Sequence, residues 1–261
     1  MIRIMVISLS RPALVSLRGV TVSVSASGTR SSSTRGVEPE ETILLTLPEL
    51  DVYPGDRIVI TGPSGSGKSL LLSCLTGRWA PGLTFTGERE CAAERIGFVP
   101  QRGLEALHPL MQIRRQLRAV TGASQARVEE VLTAVGLDDA GLQRRRPTEI
   151  SGGQAQRVAM ALGVLAGAPL MLADEPTSAL DNESRDQLLE LLATIVAPEQ
   201  ALVVATHDLV VAESIATRHL KVASGQVEEV AVVQHGGTAR RNLNARNAAA
   251  NSDSTTAGVV A

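Results

Sequence analysis

Aromatic side chains are nearly missing from this chain. Its 261 residues include two Phe, one Tyr and one Trp, 2% of the total. A core of this size must therefore be filled by Leu, Val, Ile and Ala. Cysteine is equally scarce. Cys74 and Cys91 make at most one pair and show no CxxC spacing, which excludes a disulfide framework and a zinc ribbon. A reducing compartment fits, with both thiols expected as small buried apolar groups. Excess charge of one sign is also lacking. The formal net charge is −2, which argues against a broad nucleic-acid-binding surface but leaves room for a local basic patch. Long hydrophobic runs are absent too. The longest, residues 160–173, contains Gly163, Gly167 and Pro169 and falls short of the roughly 18 residues of a membrane span. The apolar start, Met1 to Leu9, is broken by Arg11 and Pro12, so no signal peptide is expected. A membrane, if met, is met through a partner.

What is present is an ordinary folded composition, 44% hydrophobic and 20% charged. Residues 13–24 alternate and are rich in Val, the pattern of a strand. Residues 25–41 are Ser, Gly, Arg and Glu without periodicity and read as a loop. A second strand is expected over 43–50, then a turn at Tyr53-Pro54-Gly55-Asp56, then a short apolar run over 57–61, typical of a buried parallel strand. Residues 101–147 turn helical, with Glu129, Val131, Leu132, Val135 and Leu137 on one amphipathic helix. A helix is expected from Ser151 through Leu165, a strand over 170–173, a helix over 186–195 and a buried strand over 201–206. Strands alternating with helices imply a parallel α/β sheet. The tail from residue 236 lacks apolar periodicity and is expected to be disordered.

Three motifs carry chemistry. Gly62-Pro63-Ser64-Gly65-Ser66-Gly67-Lys68-Ser69 matches G-x-x-x-x-G-K-[ST], between a strand and an apolar helix. Its glycines let backbone N–H groups turn toward phosphate oxygens, Lys68 adds positive charge, and Ser69 offers a hydroxyl to Mg²⁺. Next, an apolar strand ends in Asp174-Glu175. Beside a phosphate loop, the first acid suits Mg²⁺ and the second suits a water poised for in-line attack. Finally, Ser151-Gly152-Gly153-Gln154 opens a helix. Alone it is a capped helix start, but it also offers a hydroxyl and exposed N–H groups to an anion. One nucleotide rarely needs two such sites in one chain, which hints at a nucleotide shared between two copies.

With these motifs in order, the chain resembles the ABC transporter ATPases over about residues 13–230. Ile150 to Arg157 is similar to their signature motif, Gln101 to the Q-loop glutamine, Ser178-Ala179-Leu180-Asp181 to the D-loop, and His207 to the switch histidine. The resemblance implies an α/β P-loop NTPase core with a small antiparallel β-subdomain and an inserted helical subdomain. The ATPase domain would cover 13–235, the helical part about 102–165, and the tail 236–261. It implies ATP and Mg²⁺ as cofactors. Two such domains would pack head to tail, each ATP lying between Lys68 of one chain and Ser151 of the other, with Asp181 nearby. Glu175 would be the general base and His207 would hold the γ-phosphate or the water. Gln101 would sense the nucleotide and the metal and couple to a membrane subunit. Ser69, Gln101 and Asp174 would hold the metal. The implied partners are a second ATPase domain, integral membrane permease subunits and, for an importer, an extracytoplasmic solute-binding protein, with the chain peripheral on the cytoplasmic face of the membrane. No nucleic acid is expected.

Leu107-His108-Pro109-Leu110-Met111-Gln112-Ile113-Arg114-Arg115-Gln116 resembles the segment after the Q-loop in peptide and nickel importers, so uptake of such a solute is expected. His108, Arg114 and Arg115 depart from that subfamily. The family's adenine-stacking aromatic is also replaced, by Val24, and no aromatic precedes Tyr53. The competing reading is a soluble ATPase of this type in a non-transport complex. The interval from Lys68 to Ser151 carries no long coiled-coil or zinc insertion of the repair and chromosome members. A dead regulatory domain conflicts with Lys68, Asp174, Glu175 and His207 all being present.

Overall fold

The computed structural model describes residues 12–25, 41–178, 185, 186, 189, 192 and 196–232. Among them, nine strands form one sheet in the order β4-β1-β2-β9-β8-β3-β7-β6-β5. One side of that order is an antiparallel unit. β1 (Val15–Ser25) lies between β2 (Glu41–Val52) and β4 (Leu83–Cys91). The other side is parallel: β3 (Arg57–Thr61), β5 (Ile96–Val99), β6 (Leu170–Asp174) and β7 (Ala201–Thr206), joined by β8 (Arg218–Ala223). β9 (Gln226–Val230) runs antiparallel to β8 and meets β2 at Thr46.

The parallel strands are apolar on both sides because both faces are covered. Alternation assigns the faces. Ile58, Ile60, Leu170, Leu172, Val203 and Ala205 join one core, together with Leu71 and Leu75 of α1 (Lys68–Thr76) and the inner residues of β1 and β2. Val59, Met171, Ala173, Leu202 and Val204 join the other, against Ala159 and Met160 of α5 (Gly152–Leu165) and Val211 of α6 (Leu209–Ile215). Each fully buried aliphatic contributes about 1.5–3 kcal/mol.

A third core belongs to the helices between β5 and β6. Ile113 and Leu117 of α2 (Ile113–Thr121) and Val128 and Leu132 of α3 (Gln125–Ala134) pack on Ala155 and Val158 of α5. Short α4 (Ala140–Gln143) adds Leu142. Helix α5 thus shares its sides between the sheet and the helical insertion. At Gly103 the chain passes so close to α5 that a Cβ would run into the Ala155 carbonyl.

Some expectations change. The helix read through Leu137 ends at Ala134. Gly136 takes a left-handed φ of 70°, and Leu137 turns back so that its N–H donates to Leu132 O at 2.8 Å. Leu137 is still buried, so its apolar character reports the core rather than the helix. Cys74 is buried, and burial pushes its thiol up to about 12, but Cys91 is exposed on β4. Residues 26–40 of the expected loop, the tail and most of 186–195 lie outside the described residues.

Candidate nucleotide-binding site

The parallel register sets the carboxyl ends of four strands in a row. Thr61 pairs with Thr206, Asp174 with Ala205, and Val99 with Ala173. The loops after β3, β7, β6 and β5 carry Gly62 to Ser69, His207, Glu175 and Gln101 respectively. Ligands of open α/β sheets bind beyond such carboxyl ends.

The phosphate loop is shaped by steric demand. Gly67 has φ 112° and a Cβ there would sit 3.1 Å from Leu45 Cδ1. A Cβ at Gly62 would run into the carbonyl of Val222. Pro63, Ser64 and Gly65 are exposed, while Ser66 is buried with an Oγ that has no hydrogen-bond partner among the described residues. Gly67 caps α1 with no side-chain bond, so the first amides of that helix are open to an anion. The Lys68 ammonium is buried. It donates to Gly62 O at 2.8 Å and Pro63 O at 3.2 Å, and stands 3.2 Å from Glu175 Oε1.

Ser69 Oγ donates to Asp174 Oδ2 at 2.8 Å, while Asp174 Oδ1 is buried with no hydrogen-bond partner among the described residues. Burial raises the Asp174 carboxyl above the usual range, the Ser69 bond opposes this, the Glu175 charge adds to it and Lys68 opposes it. A free carboxylate oxygen beside a serine hydroxyl suits a hard divalent cation. Among the described residues no cluster of three or more His, Cys, Asp or Glu could hold a metal. Mg²⁺ commonly takes one or two protein oxygens, with water and substrate phosphates completing its shell, so this sparse donor set fits it.

Glu175 occupies the left-handed region at φ 45°, unusual for a residue with a Cβ, and its N–H donates to Ala205 O at 2.8 Å. Its Oε2 accepts from the His207 ring at Nδ1 (2.8 Å) and from the His207 backbone N–H (3.3 Å). An ionised carboxylate only accepts, so Nδ1 carries the proton. The buried Glu175 carboxylate is therefore fixed between a cation and an imidazole.

The structure thus brings together Lys68, Ser69, Asp174, Glu175 and His207. The loop Gly62 to Gly67 wraps the same Lys68, whereas Gln101 and the start of α5 make no hydrogen bond to this cluster among the described residues. Gln101 is exposed just past β5. Ser151 caps α5, accepting from Gln154 N at 3.2 Å, while the Gln154 side chain accepts from Ser151 N at 3.0 Å. Gly152 is exposed and has nothing within 4 Å of its Cβ position. Gly153 continues the first turn of α5. Asp181 lies outside the described residues. Beside the cluster, a cleft of about 820 Å³ runs from Ser69 and Asp174 to Phe98, Val120 and Arg89. Apart from Ser69 and Asp174, its lining was not legible in the sequence, because β4 and β5 were not.

A glycine loop closing on a helix, with two acids at the end of the next strand but one in the sheet, defines a P-loop nucleotide-binding ATPase domain. The ABC transporter family profile matches residues 45–178, and the chain belongs to that family. It is 34% identical over 201 residues to the macrolide export ATP-binding/permease protein MacB of Marinobacter nauticus, covering 69% of this chain and 30% of that protein. It is 38% identical over 177 residues to an uncharacterized ABC transporter ATP-binding protein of Mycobacterium tuberculosis, covering 61% of this chain and 53% of the relative. The chain therefore spans about a third to a half of the length of these relatives. Among solved structures, it is similar to the dimeric post-hydrolysis state of the ATP-binding cassette MJ0796 bound to ADP and Pi. The TM-score is 0.68 and the identity 27%, over 85% of this chain and all of that one. No helix among the described residues is long and apolar enough to cross a membrane.

Proposed function

We propose that the chain hydrolyses ATP to drive a partner membrane subunit, working on the cytoplasmic face of the membrane as half of a head-to-tail dimer. The observation that carries this reading is the buried Glu175 carboxylate, held in a left-handed backbone between Lys68 and His207, one residue beyond Asp174. Lys68 and the amides at the start of α1 hold the phosphates. Ser69 and Asp174, with Gln101, hold Mg²⁺, which supplies charge neutralisation of the phosphate oxygens when bound. Glu175 accepts a proton from the attacking water as the new P–O bond forms and the bond to ADP breaks. His207, tied to the same carboxylate, orients the water or the γ-phosphate.

The dimer reading is supported by the exposed α5 start, which within one chain touches none of the clustered residues, and by the dimeric solved relative. Ser151, Gly152, Gly153 and Gln154 then meet the γ-phosphate of the facing chain, with Asp181 at the same seam. The 820 Å³ cleft, lined in part by Ser69 and Asp174, would give a membrane subunit access to the nucleotide site. Two transport directions rest on two observations. The segment Leu107 to Gln116 supports uptake of a peptide, nickel or a related solute, assisted by a solute-binding protein. The relatives named for macrolide export support efflux. Co-purification from solubilised membranes, followed by vectorial transport in vesicles, tests the reading. A permease subunit should co-purify and transport should stop in Lys68→Ala. Recovery with soluble proteins only would favour an ATPase of a non-transport complex.

A further inference from the structure

A polar pair, Thr61 and His219, sits where the phosphate loop begins. Thr61 Oγ1 and His219 Nε2 are 2.7 Å apart, with Thr61 buried and His219 half-buried. Burial first, and then the charge of Lys221, holds the His219 ring below its usual titration range, so it is neutral at neutral pH. A neutral imidazole either takes the hydroxyl hydrogen on a bare nitrogen or gives its own to the hydroxyl oxygen, and both arrangements satisfy the pair. The register explains the meeting. His219 stands opposite Val59 on β3, so its side chain lies on the face of the sheet that carries Val59 and Thr61. Val59 and Val204 on that face are apolar and share a core with Val211 of α6. Replacing both partners of a buried hydrogen bond by apolar groups of the same shape is nearly neutral, so stability alone does not account for a threonine and a histidine here.

Their position does account for them. Thr61 is the last residue of β3, and the carbonyl of Gly62, which follows it, accepts from the Lys68 ammonium at 2.8 Å. Thr206, the register partner of Thr61 on β7, is used in a comparable way: its Oγ1 accepts from Asp208 N at 3.1 Å, one residue past His207. Each threonine thus bonds at a strand end from which site residues depart. The backbone of β8 braces the same loop. Its Val222 carbonyl closes on Gly62, where a Cβ would run into it, and Gly225 N, in the turn after β8, donates to Ser66 O at 3.3 Å. A glycine-rich loop has many conformations to lose on closing around phosphate. Bracing its first residue removes part of that loss before the nucleotide arrives.

We propose that His219 is a positioning residue for the nucleotide: bonded to Thr61, it fixes the start of the phosphate loop and so sets ATP affinity without touching the reacting atoms. The inference rests on the ATPase reading and adds to it a residue of β8, outside the motif segments.

Steady-state hydrolysis by the full chain tests it. His219→Leu and Thr61→Val each remove the bond at similar size. Each should raise KM for ATP about twofold to tenfold, the range of one hydrogen bond, with kcat held within about twofold. The double variant should show no more than the larger single effect, because both substitutions remove the same bond. His219→Gln, whose amide reaches the place of Nε2, should bring KM back toward wild type. Binding of a fluorescent ATP analogue, with Lys68→Ala alongside, separates this from the ATPase reading. Lys68-dependent binding that is unchanged in His219→Leu and Thr61→Val overturns the proposal and leaves the ATPase reading standing. Binding that Lys68→Ala does not weaken overturns the ATPase reading and the proposal with it. Single effects that add in the double variant, or a His219→Gln no better than His219→Leu, assign the pair to packing alone and also overturn the proposal.

Discussion

Glu175 Oε1 lies 3.2 Å from Lys68 Nζ, both groups buried, although one residue closes the phosphate loop and the other begins the turn after β6. The pairing exists because β3 and β6 flank β7 in one parallel register, so their ends meet. The lysine proposed for phosphate and the carboxylate proposed for water are thereby set within one short span.

Lys68→Ala should remove a charge-assisted contact to phosphate. Such contacts are worth about 1.5–3 kcal/mol, or roughly tenfold to 150-fold in affinity. Titration with a fluorescent ATP analogue measures this, with circular dichroism to check the fold. Unchanged affinity would remove Lys68 from the site.

Asp174 should cost the fold stability in return for its position. Its carboxyl is raised, first by burial, so the folded state takes up a proton more readily than the unfolded chain. The penalty is present at neutral pH and fades as pH falls through the raised folded value toward the unfolded one, about 3.9. Asp174→Asn should therefore melt above wild type at neutral pH in chelator, with the gap closing on acidification. Mg-ATP should reverse the order by stabilising wild type more. A lower melting temperature for the Asn variant at neutral pH without ligand would contradict this.

Base selectivity should be weak. Val24 lies at the end of β1 between Thr42 and Leu83, and Trp79 is committed to stacking on Phe85 at 4.3 Å. Base–aromatic stacking is worth about 1–3 kcal/mol, which Val24 does not supply. GTP should support hydrolysis within about tenfold of ATP, and Val24→Tyr should tighten ATP binding. Phosphate release with each nucleotide measures it, and a hundredfold ATP preference would contradict it.

Much of this was legible beforehand because steric and charge demands are local. Glycines that must turn, a lysine after them and acids at a strand end announce themselves at fixed spacing. Strands β3, β6 and β7 read cleanly because both faces are buried. Strand β4 did not, since it is largely exposed and interrupted by Gly87, and β8 and β9 are short and carry few apolar residues. Arg57 shows what sequence hides altogether. It opens the run 57–61 read as a buried strand, and nothing nearby in the sequence points to the carbonyls that receive its guanidinium. It is buried, and its guanidinium donates to the carbonyls of Val196, Ala197 and Gln200, ordering the entry to β7. The bond from His207 to Glu175 was equally invisible, because it depends on how β6 and β7 align.

The most direct measurement is the association state and turnover of Glu175→Gln. Gln keeps the shape of Glu but cannot accept the proton of the attacking water, and losing a placed general base costs about 10²–10⁴-fold in rate. Lys68, Ser69 and Asp174 remain to hold Mg-ATP, and Ser151 of the facing chain remains to close on it. Size-exclusion chromatography should show a monomer without nucleotide and a persistent dimer with ATP. Phosphate release should fall at least a hundredfold, and adding Ser151→Arg should abolish the dimer. A monomer under both conditions with hydrolysis at the wild-type rate would contradict the assignment of Glu175. A dimer that survives Ser151→Arg would contradict the shared site.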